Sequence, residues 1–145
     1  MLECHHRANV RRDSTECAEE LRRGEASSPG YVRVTEGDIL RATVLDVSDE
    51  ARVEFGLRYP DAHRLDAGER DLLTIAAGLT DGFRVCSCDK AAVVAANSLG
   101  LLDHLVSLEG LAADVGARPR RTFRRQYTDK ILGSWRTSLK LGHGP

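Results

Sequence analysis

The sequence has few cysteines, few aromatic residues and no long apolar run, and each scarcity excludes a class of protein. Four cysteines in 145 residues are too few for the disulfide framework of a small secreted protein. The longest apolar runs, LLTIAAGL and AAVVAA, fall far short of the roughly 20 residues that a membrane helix needs. The N-terminal stretch MLECHHRANVRR has no apolar region of the kind found in secretory signals. These absences predict a cytoplasmic protein that does not associate with a membrane.

The composition is typical of a folded globular chain. A hydrophobic content of 41% and a charged content of 30% exclude an intrinsically disordered protein. A length of 145 residues is enough for one domain with a real hydrophobic core.

The charge is divided unevenly along the chain. The net charge is −1, but residues 118–145 hold eight Lys or Arg against one acid, Asp129, and so carry +7. The first 117 residues therefore carry −8. This asymmetry favours two interpretations equally: a basic tail that binds a polyanion, or a solvated segment that neutralises its own domain.

The cysteines provide a weak case for zinc. Cys86 and Cys88 are two apart in a predicted strand, where they share a face, and Cys4, His5 and His6 could complete a site. The usual spacing of two to four residues between zinc ligands is absent, so reduced, packed thiols are the favoured interpretation.

Hydrophobic periodicity predicts alternating helices and strands. The predicted helices cover DSTECAEELRRGE with Asp13 as its N-cap, SDEARVEFGLRY, residues 66–79, KAAVVAANSLG, a run ending at Gly116, and QYTDKILGSWRTSLKL. YVRVT, FRVCS and a short run before Ser107 are predicted strands, whereas EGDILRATVLDV is ambiguous and PDAHR is a loop. This order predicts an α/β fold with a mostly parallel sheet, although the first convincing element is a helix rather than a strand.

Three acids are candidate ligands for a divalent cation. Glu69 lies in the first turn of its helix on the same face as Leu72 and Leu73, Asp89 directly follows the FRVCS strand, and Glu20 flanks the apolar side of the first helix. Carboxylates that converge on one sheet edge suit Mg²⁺. Spacing alone favours ordinary roles for each: a capping box from Asp66 to Glu69, an N-cap at Asp89 and a solvated face at Glu20.

The order of these motifs resembles the PIN-domain nucleases. LDAGERDLL is followed by an apolar strand ending in CSCDKAA and then by NSLGLLDHLVSLEGL, while ECAEELRRGE resembles the family's upstream segment. The resemblance covers roughly residues 14–116. It implies a three-layer α/β/α sandwich with a central, mostly parallel sheet.

The resemblance also implies a function and a set of residues. It implies that Glu20, Glu69 and Asp89, with Asp71 as an auxiliary, hold Mg²⁺ or Mn²⁺ ions that drive RNA hydrolysis. Lys90 could contact a phosphate, although a solvent-facing lysine on a helix is the favoured interpretation. The family's opening strand, which ends in Asp, has no counterpart in MLECHHRANVRRD. We therefore expect a PIN-like domain at 1–116 that is incomplete at its N-terminus, and a basic extension at 117–145.

Three functions follow from these observations. The first is a metal-dependent ribonuclease, such as a toxin with an antitoxin protein as its partner. The second is an inactive PIN-like module that binds RNA or a protein through the basic residues Arg118, Arg120, Arg121, Arg124 and Arg125. The third is a homodimer formed through Tyr127, Ile131 and Trp135, which recur at four-residue steps.

Overall fold

The structure is a computed structural model of the chain, and it describes residues 12–23, 34–39, 43–80 and 82–144. The chain separates into two compact units, Met1–Asp46 and Val47–Pro145. Each unit is built on its own pair of parallel strands.

The first unit begins with a strand rather than with the predicted helix. Strand β1 (Arg12–Ser14) pairs in parallel with β2 (Thr43–Leu45). Helix α1 (Thr15–Arg23) follows β1 directly, and a short helix α2 (Glu36–Ile39) precedes β2. The predicted YVRVT strand lies outside the described residues except for its last two positions.

The N-cap of α1 corrects the sequence prediction. Asp13 was expected to cap the helix, but its backbone belongs to β1. The cap is Ser14, which is fully buried and whose Oγ accepts a hydrogen bond from the backbone N–H of Cys17 at 3.1 Å. Because strand pairing extends the chain through residue 14, the helix can start only one residue later than the local pattern suggested.

The second unit is mostly helical. Its strands β3 (Val85–Cys86) and β4 (Leu105–Val106) pair in parallel. Its helices are α3 (Asp49–Arg58), α4 (Ala67–Ala77), α5 (Lys90–Ser98), α6 (Leu108–Asp114) and α7 (Asp129–Lys140). Three 3₁₀ turns, at Pro60–Arg64, Leu102–His104 and Arg125–Tyr127, connect them. The α/β class with parallel strand pairing is thus confirmed, although PDAHR forms a 3₁₀ turn and not an irregular loop.

Local capping sets the helix boundaries much as the sequence predicted. The side chains of Ser48, Asp66, Asp89 and Ser107 each accept a backbone N–H in the first turn of α3, α4, α5 and α6. Gly100 and Gly116, the predicted helix ends, have φ of +74° and +68°. Glycine is favoured at such positions because it has no Cβ to clash in the left-handed region.

The core of the second unit centres on α5. Val93, Ala95 and Ala96 are fully buried, and their small volume lets neighbouring helices approach closely. Helix α4 contacts both α3 and α5. The sequence pattern predicts an apolar stripe of Leu72, Ile75, Ala76 and Leu79. Ala76 is buried as predicted, but the other most buried apolar residue is Leu73, and the remaining three are half-buried.

Helix α7 packs into the same core. Leu132 is buried, and the guanidinium of Arg136 donates hydrogen bonds to the backbone carbonyls of Leu102 (3.2 Å) and Leu105. The Nζ of Lys140 lies 2.8 Å from a carboxylate oxygen of Asp103 and holds the pKa of that carboxyl below its usual range. Among the described helices none combines the length and the apolar character required to cross a membrane.

Candidate functional site

Asp89 lies where α/β folds usually place functional groups, three residues after the end of the parallel strand β3. Its Oδ1 accepts hydrogen bonds from the backbone N–H groups of Ala91 (2.6 Å) and Ala92 (3.3 Å). The side chain is exposed to solvent. Capping, one of the two roles that the sequence left open, is thus present, and metal binding stays a prediction.

Glu69 occupies the first turn of α4. Its backbone N–H donates to Oδ1 of Asp66 at 2.7 Å, so Asp66 is the N-cap, as the D-x-x-E pattern predicted. The Glu69 residue is half-buried. The third predicted ligand, Glu20, belongs to α1 in the first unit.

Asp71, the predicted auxiliary ligand, is bound to an arginine. The residue is 2% exposed, and its two carboxylate oxygens accept hydrogen bonds from Arg52, Oδ1 from Nε at 3.0 Å and Oδ2 from Nη2 at 2.8 Å. The hydrogen bonds with Asp71 raise the pKa of Arg52 above its already high value. A metal cation at Asp71 would have to share the carboxylate with this guanidinium, whose positive charge would repel it.

Glu20 lies in the first unit and Glu69, Asp71 and Asp89 lie in the second, and the side chain of Glu20 is outside the described part of the structure. Among the side chains that the structure describes, no group of three or more His, Cys, Asp or Glu could hold a metal ion. The metal-binding roles of Glu20, Glu69, Asp71 and Asp89 stay predictions.

Cys86 and Cys88 are half-buried free thiols two residues apart. Burial, with smaller contributions from the charge and the hydrogen bond of Cys88, raises the pKa of Cys86 to about 11. Burial also raises the pKa of Cys88, and a hydrogen bond with the Leu108 backbone partly offsets that rise. Both groups are therefore protonated thiols at neutral pH. The other predicted zinc ligands, Cys4, His5 and His6, lie outside the described residues.

A basic segment, residues 118–125, connects α6 to the 3₁₀ turn before α7. All five of its arginines are exposed: Arg118, Arg120, Arg121, Arg124 and Arg125. None of their guanidinium groups forms an ion pair with a carboxylate of the described residues. Lys90, the other predicted phosphate contact, is likewise exposed at the start of α5.

The only acid in the C-terminal 28 residues is engaged elsewhere. Oδ1 of Asp129 accepts a hydrogen bond from the buried Ser107 hydroxyl at 2.6 Å. The Asp129 backbone N–H donates to Glu109 Oε2 at 2.9 Å. These contacts join the start of α7 to the start of α6. The sequence does not predict the contact between Ser107 and Asp129, because a serine before a helix indicates a cap and not a contact with a residue 22 positions away.

A groove lies beside the basic segment, where the 3₁₀ turn contacts α7. Arg125, Gln126, Ile131 and Trp135 line a volume of about 220 Å³. Trp135 is half-buried and packs against the core of its own unit. The predicted homodimer through Tyr127, Ile131 and Trp135 stays a prediction.

The chain matched no model of a known protein family, no curated protein and no solved structure. The case for a function accordingly depends on the chemistry of the described residues.

Proposed function

We propose that this protein binds RNA through its basic segment, residues 118–125. One observation carries the proposal: five arginines lie within eight residues, all exposed and none paired with a carboxylate of the described residues. Arginine suits phosphate because its planar guanidinium can donate two parallel hydrogen bonds. A segment that only neutralised its own domain would place these groups against acids.

The proposal predicts a measurable dependence on salt. Each arginine that contacts a phosphate releases condensed counterions, so the logarithm of the binding constant falls linearly with the logarithm of the salt concentration. Five such contacts on single-stranded RNA give a slope of about −3.5. The binding needs no metal ion and persists in EDTA.

The test is fluorescence anisotropy with a labelled single-stranded RNA of about 12 nucleotides, in EDTA and from about 50 to 200 mM KCl. The variant R120Q/R121Q/R124Q removes three of the five arginines and lowers the slope to about −1.4. The control variant R23Q/R58Q/R64Q removes the same charge from exposed positions elsewhere.

The two variants separate a local from a general effect of charge. If the basic segment is the binding site, the control retains the wild-type slope and most of the affinity. Equal losses in both variants, or no binding by the wild-type chain at about 50 mM KCl, would refute the proposal.

A metal-dependent ribonuclease with the PIN-like three-layer sandwich is a second candidate. The resemblance to PIN-domain nucleases motivates it, and two placements bear on it. Asp89 follows the parallel strand β3, and a strand, β1, precedes α1 and has Asp13 as its middle residue. The resembled family opens with an apolar strand that ends in Asp, whereas β1 is polar and ends at Ser14.

A Mn²⁺ titration followed by thermal denaturation tests this second candidate. Saturable stabilisation of the wild type, lost in E69Q and D89N but kept in the surface control E54Q, would support a metal site. An unchanged melting temperature in a chain that unfolds cooperatively would argue against it. A search for an antitoxin partner would follow only if Mn²⁺ stabilises the wild-type chain.

A further inference from the structure

The groove beside the basic segment has a rigid aromatic wall. Trp135 packs partly against the hydrophobic core, and Leu132, one turn earlier on α7, is buried. Ile131, four residues before Trp135, lines the groove with it because residues i and i+4 share a helix face. The indole therefore cannot turn away without losing core contacts.

The remaining wall is polar. The 3₁₀ turn Arg125–Tyr127 contributes Arg125 and Gln126 to the lining. The Gln126 amide both donates and accepts hydrogen bonds, and Arg125 is also the last arginine of the basic segment. An indole ring, a branched aliphatic side chain, an amide and a guanidinium thus line one small groove.

The groove is small and open to solvent. With a volume of about 220 Å³ it cannot enclose a ligand as a pocket does, and it suits a flat ring that rests against Trp135. Nucleobases stack on aromatic side chains in single-strand-binding proteins, where a basic groove also follows the phosphates. An acidic peptide would use the arginines but has no flat group for Trp135.

We propose that this groove binds one unpaired nucleobase, so that the protein prefers single-stranded to double-stranded RNA. The inference rests on the proposed RNA binding by the basic segment, and it adds the part of the RNA that is recognised. A duplex would offer the same phosphates while its bases remain stacked on one another.

The single tryptophan of the chain makes the groove directly observable. Oligo(U), an RNA duplex of equal length, inorganic polyphosphate and polyglutamate are each titrated in EDTA while tryptophan fluorescence is recorded. We expect oligo(U) to quench Trp135 along a saturable curve. Polyphosphate should compete with labelled RNA without quenching, because it has charge but no bases.

Two substitutions test the groove by anisotropy. W135L should weaken oligo(U) binding about 5- to 150-fold and bring it close to duplex binding, whereas W135F should retain most of the affinity. Q126A changes an exposed residue of the lining and leaves the core intact. Q126A should weaken oligo(U) binding while leaving the affinity for polyphosphate unchanged. The test therefore remains valid even if W135L fails to fold.

The outcomes separate this inference from the proposed function. Salt-dependent RNA binding with no quenching, no preference for single strands and no effect of Q126A would overturn the nucleobase site alone. Failure of RNA and of polyphosphate to bind would overturn both proposals. Equal quenching by polyglutamate would instead identify an acidic protein surface as the ligand and overturn the nucleobase site.

Discussion

The carboxylate of Asp71 on α4 is held by the guanidinium of Arg52 on α3 through two hydrogen bonds, at 3.0 and 2.8 Å. Asp71 is almost completely buried, while about a third of the Arg52 side chain remains exposed. Arg52 also lies 3.1 Å from Asp49, but that carboxylate is exposed and contributes little. The pair with Asp71 therefore couples two helices of the core.

Removing Arg52 should destabilise the protein strongly. We expect R52A to lower the free energy of unfolding well beyond the effect of substituting an exposed arginine, because it leaves the almost completely buried Asp71 carboxylate without its cation. Urea denaturation at neutral pH measures the loss. The control R58A, at an exposed position six residues later on α3, should stay within about 0.5 kcal/mol of wild type.

A double substitution identifies the cause of that loss. In R52M/D71L both charges are replaced by apolar groups, so at least half of the stability lost in R52A should return. A double variant no more stable than R52A would show that packing by the arginine stem, rather than the uncompensated charge, dominates.

Gly110 should resist substitution because of Asp129. A Cβ at Gly110 would lie 2.8 Å from Oδ1 of Asp129 and 3.2 Å from a methyl group of Val106. Oδ1 cannot move away without breaking its hydrogen bond with Ser107. We expect G110A to cost about 1–3 kcal/mol in thermal or urea denaturation.

Gly133 provides the matched control for this prediction. It lies in α7 with no atom within 4 Å of an added Cβ, so G133A should stabilise the chain by up to about 1 kcal/mol through helix propensity. In a D129A background, G110A should cost less than in the wild type. An equal cost in both backgrounds would exclude the contact with Asp129 as the cause.

Asp89 should tolerate asparagine as a helix cap. Asn and Asp cap helices about equally well, whereas alanine cannot accept the N–H groups of Ala91 and Ala92. We expect D89A to lose about 1 kcal/mol of stability without added metal and D89N to lose little. Thermal denaturation in EDTA measures both. A large loss in D89N would show that the negative charge itself stabilises the fold.

Cys86 should react slowly with alkylating agents near neutral pH. Only the thiolate reacts, and the pKa of Cys86 is raised to about 11. Iodoacetamide labelling followed by peptide mass spectrometry should show a rate that increases with pH up to about 11. In C88A the rise should occur at lower pH, because the charge and the hydrogen bond of Cys88 are removed.

The same pKa has a consequence for stability. A thiol whose pKa is raised on folding stays protonated after the unfolded chain has lost its proton. The contribution of this protonated thiol to the free energy of unfolding is complete below about pH 9 and is lost as the pH rises to about 11. If iodoacetamide labels Cys86 at pH 8 as fast in the folded chain as in the urea-unfolded chain, the predicted slow reaction of the folded thiol is wrong.

The helix boundaries could largely be predicted from the sequence. Ser48, Asp66 and Asp89 cap the helices that follow them, because the cap forms a hydrogen bond with a backbone N–H two or three residues away. Asp13 was misassigned because pairing of β1 with β2, about thirty residues later, decides where the first helix begins. No local pattern contains that information.

By itself, the sequence determined the caps of α3, α4 and α5, the α/β class and the concentration of positive charge near the C-terminus. Only the tertiary structure decided that Asp71 binds Arg52, that Ser107 binds Asp129 and that Trp135 lines a groove beside Arg125. A capping bond is made within one turn of the chain. Contacts between side chains on separate helices depend on how those helices pack, which the spacing of residues along the chain does not specify.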